Sequence, residues 1–470
     1  MTKTSELIKN TGILAVGNFA SKVLVFLLVP LYTAVLSTGE YGSYDIIYSS
    51  ISLLIPILTL NIADAMLRFP LEKGADLAHI AHIGIGITLF SGVLVLACQL
   101  IPGMPWNNIA GSNYIAVFYI STAMYQLLSL LARGSERMVD VAVAGVISTL
   151  AIVILNILLL VVYKCGLDGF FIANISGMIV PVAYLTIRLR KIIFASSSSQ
   201  DRGLLSKMVK YSLPLSAAVI GWWFISTSGR FIVTVVCGMD ANGLYSIAFK
   251  IPSILSVVAG IFLQAWQISA VKEFDASDSD GFLLKTFDAV EMVLVLLCSV
   301  LILLSPYLAQ LLYSGEFYSA WIYTPFLLVL ATLNTMSGMW SPFFSAKYDT
   351  APIAISTVIG GVINILMGIP LTMIFGIWGI VIANVLAGVL NWLYRGIKVK
   401  KHISINFHLL QSFLLCVVLC CQGVILTLDC LTLNMRVICA GFITVFLIIY
   451  YRKSIKQGLL LAMNAVAAKL

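Results

Sequence analysis

Apolar runs of about twenty residues recur from one end of this 470-residue sequence to the other, separated by short polar turns. A helix needs about 20 apolar residues to cross a hydrocarbon layer of about 30 Å, where no water can satisfy unpaired backbone groups. The pattern therefore predicts an all-α polytopic membrane protein. The balance of 60% hydrophobic to 10% charged residues excludes a soluble globular chain of this length. About fourteen spans are predicted, the first at Ile13–Leu36 and the second at Tyr44–Ile62. Four more follow at Ile80–Ile101, Tyr114–Leu131, Val141–Val162 and Gly169–Ile187. The next six are Tyr211–Val236, Leu244–Ile268, Ala289–Leu312, Ser319–Ser345, Ala351–Phe375 and Ile377–Tyr394. Leu409–Leu428 and Leu433–Tyr451 close the series. The first apolar stretch is too long for a secretory h-region and has no small-residue cleavage site after it, so it reads as a span.

The cations fix an orientation. Of 28 lysines and arginines, 23 fall in loops or tails that share one side under this span count, and two, Lys164 and Arg436, fall on the other. The positive-inside rule then places both termini in the cytoplasm and explains the net charge of +8 without nucleic acid. Three cations remain inside spans: Lys22, Arg230 and Lys250. At about 1.5 Å per residue, Arg230 lies roughly 12 Å and Lys250 roughly 10 Å from the turn between the seventh and eighth spans. Each costs about 2.5 to 3.5 kcal/mol on insertion scales, which a water-filled cavity receiving an anion would offset. Most of the nine cysteines sit in apolar runs and read as packing residues. No cofactor, metal-ligand spacing or catalytic group is expected, and the short outer loops leave no room for a catalytic domain.

The chain repeats itself. Gly166, Gly169, Ile172, Ala173 and Asn174 match Gly376, Gly379, Ile382, Ala383 and Asn384 at one offset. Ile147, Ser148, Thr149 and Asn156 match Ile355, Ser356, Thr357 and Asn364, and Gly42 with Tyr44 matches Gly243 with Tyr245. Two six-helix lobes follow, residues 1–190 and 211–400, related by a parallel repeat. They are joined by a polar link at 191–210 and followed by an extra helix pair and tail at 401–470. The span charges do not repeat: Val29 stands where the second half has Arg230, and Ser49 where it has Lys250. The four asparagines read as interhelical hydrogen-bonding groups.

The run from Lys22 through Pro30, Leu36 and Glu40 to Asp45 resembles the opening of the polysaccharide transporter family. That family belongs to the multidrug/oligosaccharidyl-lipid/polysaccharide exporter superfamily. Arg68, and the stretch from Arg230 to Tyr245, resemble its other signatures. One departure is Gly229, where the family often has Asp before the arginine. The resemblance implies a Wzx-type flippase. Its substrate would be an undecaprenyl-pyrophosphate oligosaccharide, an O-antigen or similar repeat unit, moved by alternating access to the periplasmic leaflet of the bacterial inner membrane. It also implies the bilayer as partner, with a polymerase and a chain-length regulator as candidate protein partners.

Arg230, Lys22, Lys250 and Arg68 are the candidate substrate-binding residues. Asp45 and Asp64 flank the second span as charge-pairing or ion-coupling candidates, Asp45 on the same side as Arg230 and Lys250. Trp222, Trp223, Trp266, Trp340 and Trp378 are candidates for stacking on sugars or for anchoring in the interface. Asp288 and Glu291 read as favourable charges at the start of the ninth span. The rival readings are a multidrug antiporter of the same superfamily and a membrane O-antigen polymerase. The antiporter would favour acids over cations in its cavity, and the polymerase would need a large outer loop.

Overall fold

The computed structural model describes residues 24, 26–103, 105–196, 203–272, 274–275, 277–279, 281–349, 351–403, 407–428 and 432–456. Among these, every regular element is helical. The helices are α1 (Val29–Val35), α2 (Thr38–Leu58), α3 (Ile62–Arg68), α4 (Leu77–Gln99), α5 (Ile115–Gly134), α6 (Met138–Asn156) and α7 (Gly166–Arg188). The short α8 (Arg190–Ile193) precedes α9 (Leu204–Cys237), α10 (Met239–Ala248), α11 (Lys250–Lys272) and α12 (Phe282–Leu312). The remainder are α13 (Thr324–Met339), α14 (Ser341–Ala346), α15 (Ala351–Phe375), α16 (Ile377–Val399), α17 (Leu409–Thr427) and α18 (Leu433–Tyr450). Twelve helices among the described residues are long and apolar enough to cross a membrane, or thirteen with α2 and α3 as one bent span. The chain is a multi-pass membrane protein. Half of the first predicted span, residues 13–23 and 25, lies outside the described residues.

The chain divides into two units, Met1–Thr234 with Gly238–Gly243, and Val235–Cys237 with Leu244–Leu470. In the first, the capping box at Ser37 starts α2: the Ser37 hydroxyl accepts from Glu40 N at 3.2 Å, and the Glu40 carboxylate accepts from Ser37 N at 2.8 Å. Ile47, Ile51, Phe118, Tyr119 and Phe171 pack one end of this unit, and Ile62, Met66, Leu127, Leu131, Leu185 and Met208 the other. Between these clusters α2 breaks. Leu60 and Asn61 take φ of 52° and 53°, and α3 leaves at 65° to α2. The left-handed region is sparsely used by residues other than glycine, and leucine gains nothing there by itself.

In the second unit α15 and α16 form the tightest hairpin. Gly376 turns it with φ 59° and ψ −138°, a conformation a side chain would obstruct. Its sequence counterpart Gly166 also has positive φ, 55°, where α7 starts. The repeated glycines thus share a positive φ at the start of their helices.

Two helices start earlier than their hydropathy predicts. The seventh span was expected from Tyr211 but α9 starts at Leu204; the ninth was expected from Ala289 but α12 starts at Phe282. Each extension has an apolar face in the protein core, Met208 in one, and Leu283 with Phe287 in the other. Hydropathy averages over that face and the polar one, so it misses the amphipathic turns. At about 1.5 Å per residue the 34 residues of α9 span roughly 51 Å, well beyond the hydrocarbon thickness.

Candidate functional site

Within the first unit α2 and α9 run antiparallel, and polar groups join them along their length. Arg230 Nε lies 3.0 Å from Asp45 Oδ2. Deeper along the pair, Trp223 Nε1 donates to Ser49 O and to Ser52 Oγ, both at 2.9 Å. Deeper still, Ser216 Oγ donates to Pro56 O at 2.6 Å. The partners advance along α2 as they recede along α9, so one face of each helix carries the whole series.

The start of α10 completes the Asp45 surroundings. Asn242 Nδ2 donates to Gly42 O at 3.1 Å and sits 3.5 Å from Asp45 Oδ2. Thr38 Oγ1 donates to Asp240 Oδ1 at 2.7 Å. Glycine makes this approach possible. A Cβ on Gly42 would sit 2.1 Å from Met239 O, and one on Gly243 would sit 2.0 Å from Thr38 O. These two glycines are equivalent in the sequence repeat and here face one another's helices.

Arg230 and Asp45 are neither sealed nor free, with side chains 26% and 14% exposed. The carboxylate beside Arg230 comes from α2, while the residue before Arg230 on its own helix is Gly229. A partly buried pair of this kind is held by Coulomb attraction and opposed by desolvation, so its net worth is small while the cost of removing one partner is large. Chemically, a cation kept in place by a carboxylate is able to exchange it for a phosphate oxygen.

Asp64 and Arg68 lie elsewhere in the first unit. Asp64 accepts from Asn61 Nδ2 at 2.6 Å, next to the break between α2 and α3. Arg68 ends α3 in a surface ion pair with Glu72 at 3.3 Å, both side chains 51% exposed. Lys250 belongs to the second unit and is the first residue of α11, where its carbonyl accepts from Ser253 Oγ at 2.6 Å. Lys22 lies outside the described residues. The structure thus brings together Arg230 with Asp45, and places Asp64 and Arg68 on one short helix.

Several expectations need correction. Trp223, Trp266 and Trp340 are 8%, 2% and 0% exposed, so they pack protein and have no face for a sugar; Trp266 Nε1 donates to Met339 O. Trp222 is exposed. Glu291 is not at a helix start: α12 begins nine residues earlier, and Glu291 is buried against α17, where Ser412 Oγ donates to it at 2.6 Å. Asn364 donates to Asn384 and Asn384 to Tyr245, between helices, but Asn156 and Asn174 bond carbonyls of their own helices.

Arg395, counted from sequence among the cytoplasmic loop cations, is a buried residue of α16. Its guanidinium donates to Ser356 Oγ at 2.7 Å and Thr357 Oγ1 at 2.9 Å, with Ser341 Oγ and the Ser337 and Ile353 carbonyls at 3.4 Å. The signal in the sequence was the set of hydroxyl residues Ser341, Ser356 and Thr357 near the starts of two successive helices.

A profile of the family described as polysaccharide biosynthesis protein matches residues 7–267, more than half of the chain. The chain belongs to the polysaccharide biosynthesis protein family. No curated protein matches it in sequence. Among solved structures it resembles the lipid II flippase MurJ in an inward closed conformation, with TM-score 0.66 and 14% identity over 94% of this chain and 99% of that one. It also resembles an inward-facing multidrug resistance MATE family transporter of the MOP superfamily, with TM-score 0.62 and 15% identity over 81% and 95%. A MOP superfamily transporter from Pyrococcus furiosus, whose binding pocket is described as reversed in polarity, gives 0.56 and 15% over 84% and 95%. At these identities the likeness is one of fold, and this member of the polysaccharide family has the fold of membrane transporters and flippases.

Proposed function

We propose that this protein flips a polyprenyl-pyrophosphate-linked oligosaccharide, such as an O-antigen repeat unit, from the cytoplasmic to the periplasmic leaflet of a bacterial inner membrane. The reading rests on one observation above all, the half-open Arg230–Asp45 pair inside membrane-spanning helices of a polysaccharide-family protein. A pyrophosphate and several sugars cannot cross hydrocarbon unaided, because each unsatisfied polar group there costs several kcal/mol. A cation released from Asp45 offers the phosphate a charge-assisted partner where it most needs one. Lys22, Lys250 and Arg68 are further phosphate contacts in this reading, and Asp64 pairs or couples charge near the inner end of the path. Rocking of two lobes, residues 1–190 and 211–400, would expose the path to each side in turn.

The test uses cells lacking the protein. Polyprenyl-pyrophosphate oligosaccharide should accumulate on the cytoplasmic leaflet, and the intact gene but not Arg230→Ala should relieve it. Single repeat units accumulating outside would make the protein a polymerase, and no accumulation would favour the antiporter.

A further inference from the structure

The break between α2 and α3 borders a cavity of about 170 Å³ in the first unit. Tyr48, Ser52, Asn61, Thr122 and Gln126 bring polar groups to it, and Ile51, Ile55, Pro56 and Val219 line the rest. Thr122 and Gln126 are one turn apart on α5, so both face the same side. Gln126 is the twelfth of the twenty residues of α5, deep within a span. It is nonetheless exposed, and it has no hydrogen-bond partner among the described residues. Thr122 Oγ1 is buried and likewise without a partner. Asn61 is 3% exposed and spends its amide nitrogen on Asp64, which leaves its carbonyl as an acceptor. Ser52 Oγ is fixed by Trp223 and by its own bond to Ser49 O at 2.7 Å.

These features share one explanation. An uncharged amide and a hydroxyl at span depth are costly unless something polar meets them. A helix broken within the membrane is tolerated where it lines a polar cavity. The two left-handed residues at the break, Leu60 and Asn61, store backbone strain that packing must hold. The groups offered, amide, hydroxyl and phenol, suit an uncharged partner rich in hydroxyls. At about 30 Å³ per water the space equals five or six waters, the scale of one small ring. The apolar walls suit the C–H faces of such a ring.

We propose that this cavity is a carbohydrate subsite that takes one sugar ring of the transported lipid, with Thr122, Gln126 and Asn61 as its hydrogen-bonding groups. The proposal rests on the flippase reading and adds to it a contact with the sugar, separate from the charge that meets the phosphate.

The experiment compares two probes on purified protein in lipid nanodiscs by native mass spectrometry. One is undecaprenyl pyrophosphate. The other is the same lipid carrying a single glucose, galactose or N-acetylglucosamine. The intact protein should bind at least one sugar-bearing lipid about tenfold more tightly than the sugar-free lipid, as two or three net hydrogen bonds would give. The double variant Thr122→Val, Gln126→Leu should lose that preference and keep its affinity for the sugar-free lipid, which also shows that it is folded. A variant that keeps the preference, or an intact protein that has none, would make the cavity a water site and overturn the subsite. Binding of neither lipid would overturn the subsite and the flippase reading together.

Discussion

At the scale of single residues, the Arg230–Asp45 pair can be told from a structural ion pair by the signs of two mutations. If Asp45 is the internal occupant that a phosphate displaces, the two partners act in opposition on binding. Arg230→Ala removes the cation, and the affinity for undecaprenyl pyrophosphate should fall about tenfold, the worth of one charge-assisted hydrogen bond. Asp45→Asn removes the competitor, and affinity should rise severalfold while transport falls, because the bound lipid no longer has a carboxylate to drive its release. Equilibrium binding in nanodiscs measures both. A purely structural pair would weaken binding in both variants, through a shared loss of order. Both residues stand out in the sequence as charges at similar depth, but Lys250 was as good a partner for Asp45 on that ground. The face of α9 that meets the acid depends on how α9 is rotated against α2, and Trp223 and Ser216 set that rotation from positions far along the helix.

At the scale of elements, the close approach of α2 and α10 depends on the absence of two side chains. Gly42→Ala places a methyl within 2.1 Å of a backbone carbonyl, which no rotamer relieves, so the helices must separate. A loss of about 2 to 3 kcal/mol is expected, read as a lower unfolding midpoint in detergent. Gly221→Ala on α9 is the control: nothing lies within 4 Å of the added atom, so the change should be neutral or stabilising by up to about 1 kcal/mol. Equal behaviour of the two variants would remove helix approach as the reason for Gly42. The repeat alone pointed to Gly42 and Gly243; it did not tell that they serve one crossing. Arg395 shows the opposite limit. Loop cations and a buried arginine at a helix end look alike in sequence, because the positive-inside pattern counts charges without regard to burial. The structure leads to an uncommon order of stabilities. Arg395→Met removes the charge and leaves Ser356 and Thr357 bonded to Ile353 O, so it should cost little. Arg395→Lys keeps a buried charge without the planar fork that reaches acceptors on several helices, and should cost about 2 kcal/mol. Thermal unfolding of the two variants in the same detergent decides it, and a methionine variant less stable than the lysine variant would mean that the charge itself holds these helix ends.

At the scale of the whole molecule, spans were legible because hydropathy is a property of the solvent, and the bilayer imposes it on every crossing alike. Where an extension is amphipathic, as at Leu204 and Phe282, packing determines the helix and hydropathy falls silent. Orientation is a separate inference from charge. With 23 cations assigned to one side and two to the other, the reverse topology would set most of them against the membrane potential, at about 2.3 kcal/mol per charge per 100 mV. Cys165 provides a native reporter. It is exposed at the turn before α7, beside Lys164, on the side predicted to be periplasmic. With the other cysteines replaced, Cys165 should react with a membrane-impermeant maleimide in intact spheroplasts, because its thiolate forms in water. A cysteine-free protein carrying Lys401→Cys, at the turn after α16, should stay unlabelled until the membrane is opened. Protection of Cys165 together with labelling at 401 would invert the topology. The direction of transport would then need an argument other than charge, since both units would sit reversed in the membrane. Labelling at both positions in closed membranes would break the helix count between them, and with it the equal entry of the two repeats on which a rocking mechanism depends.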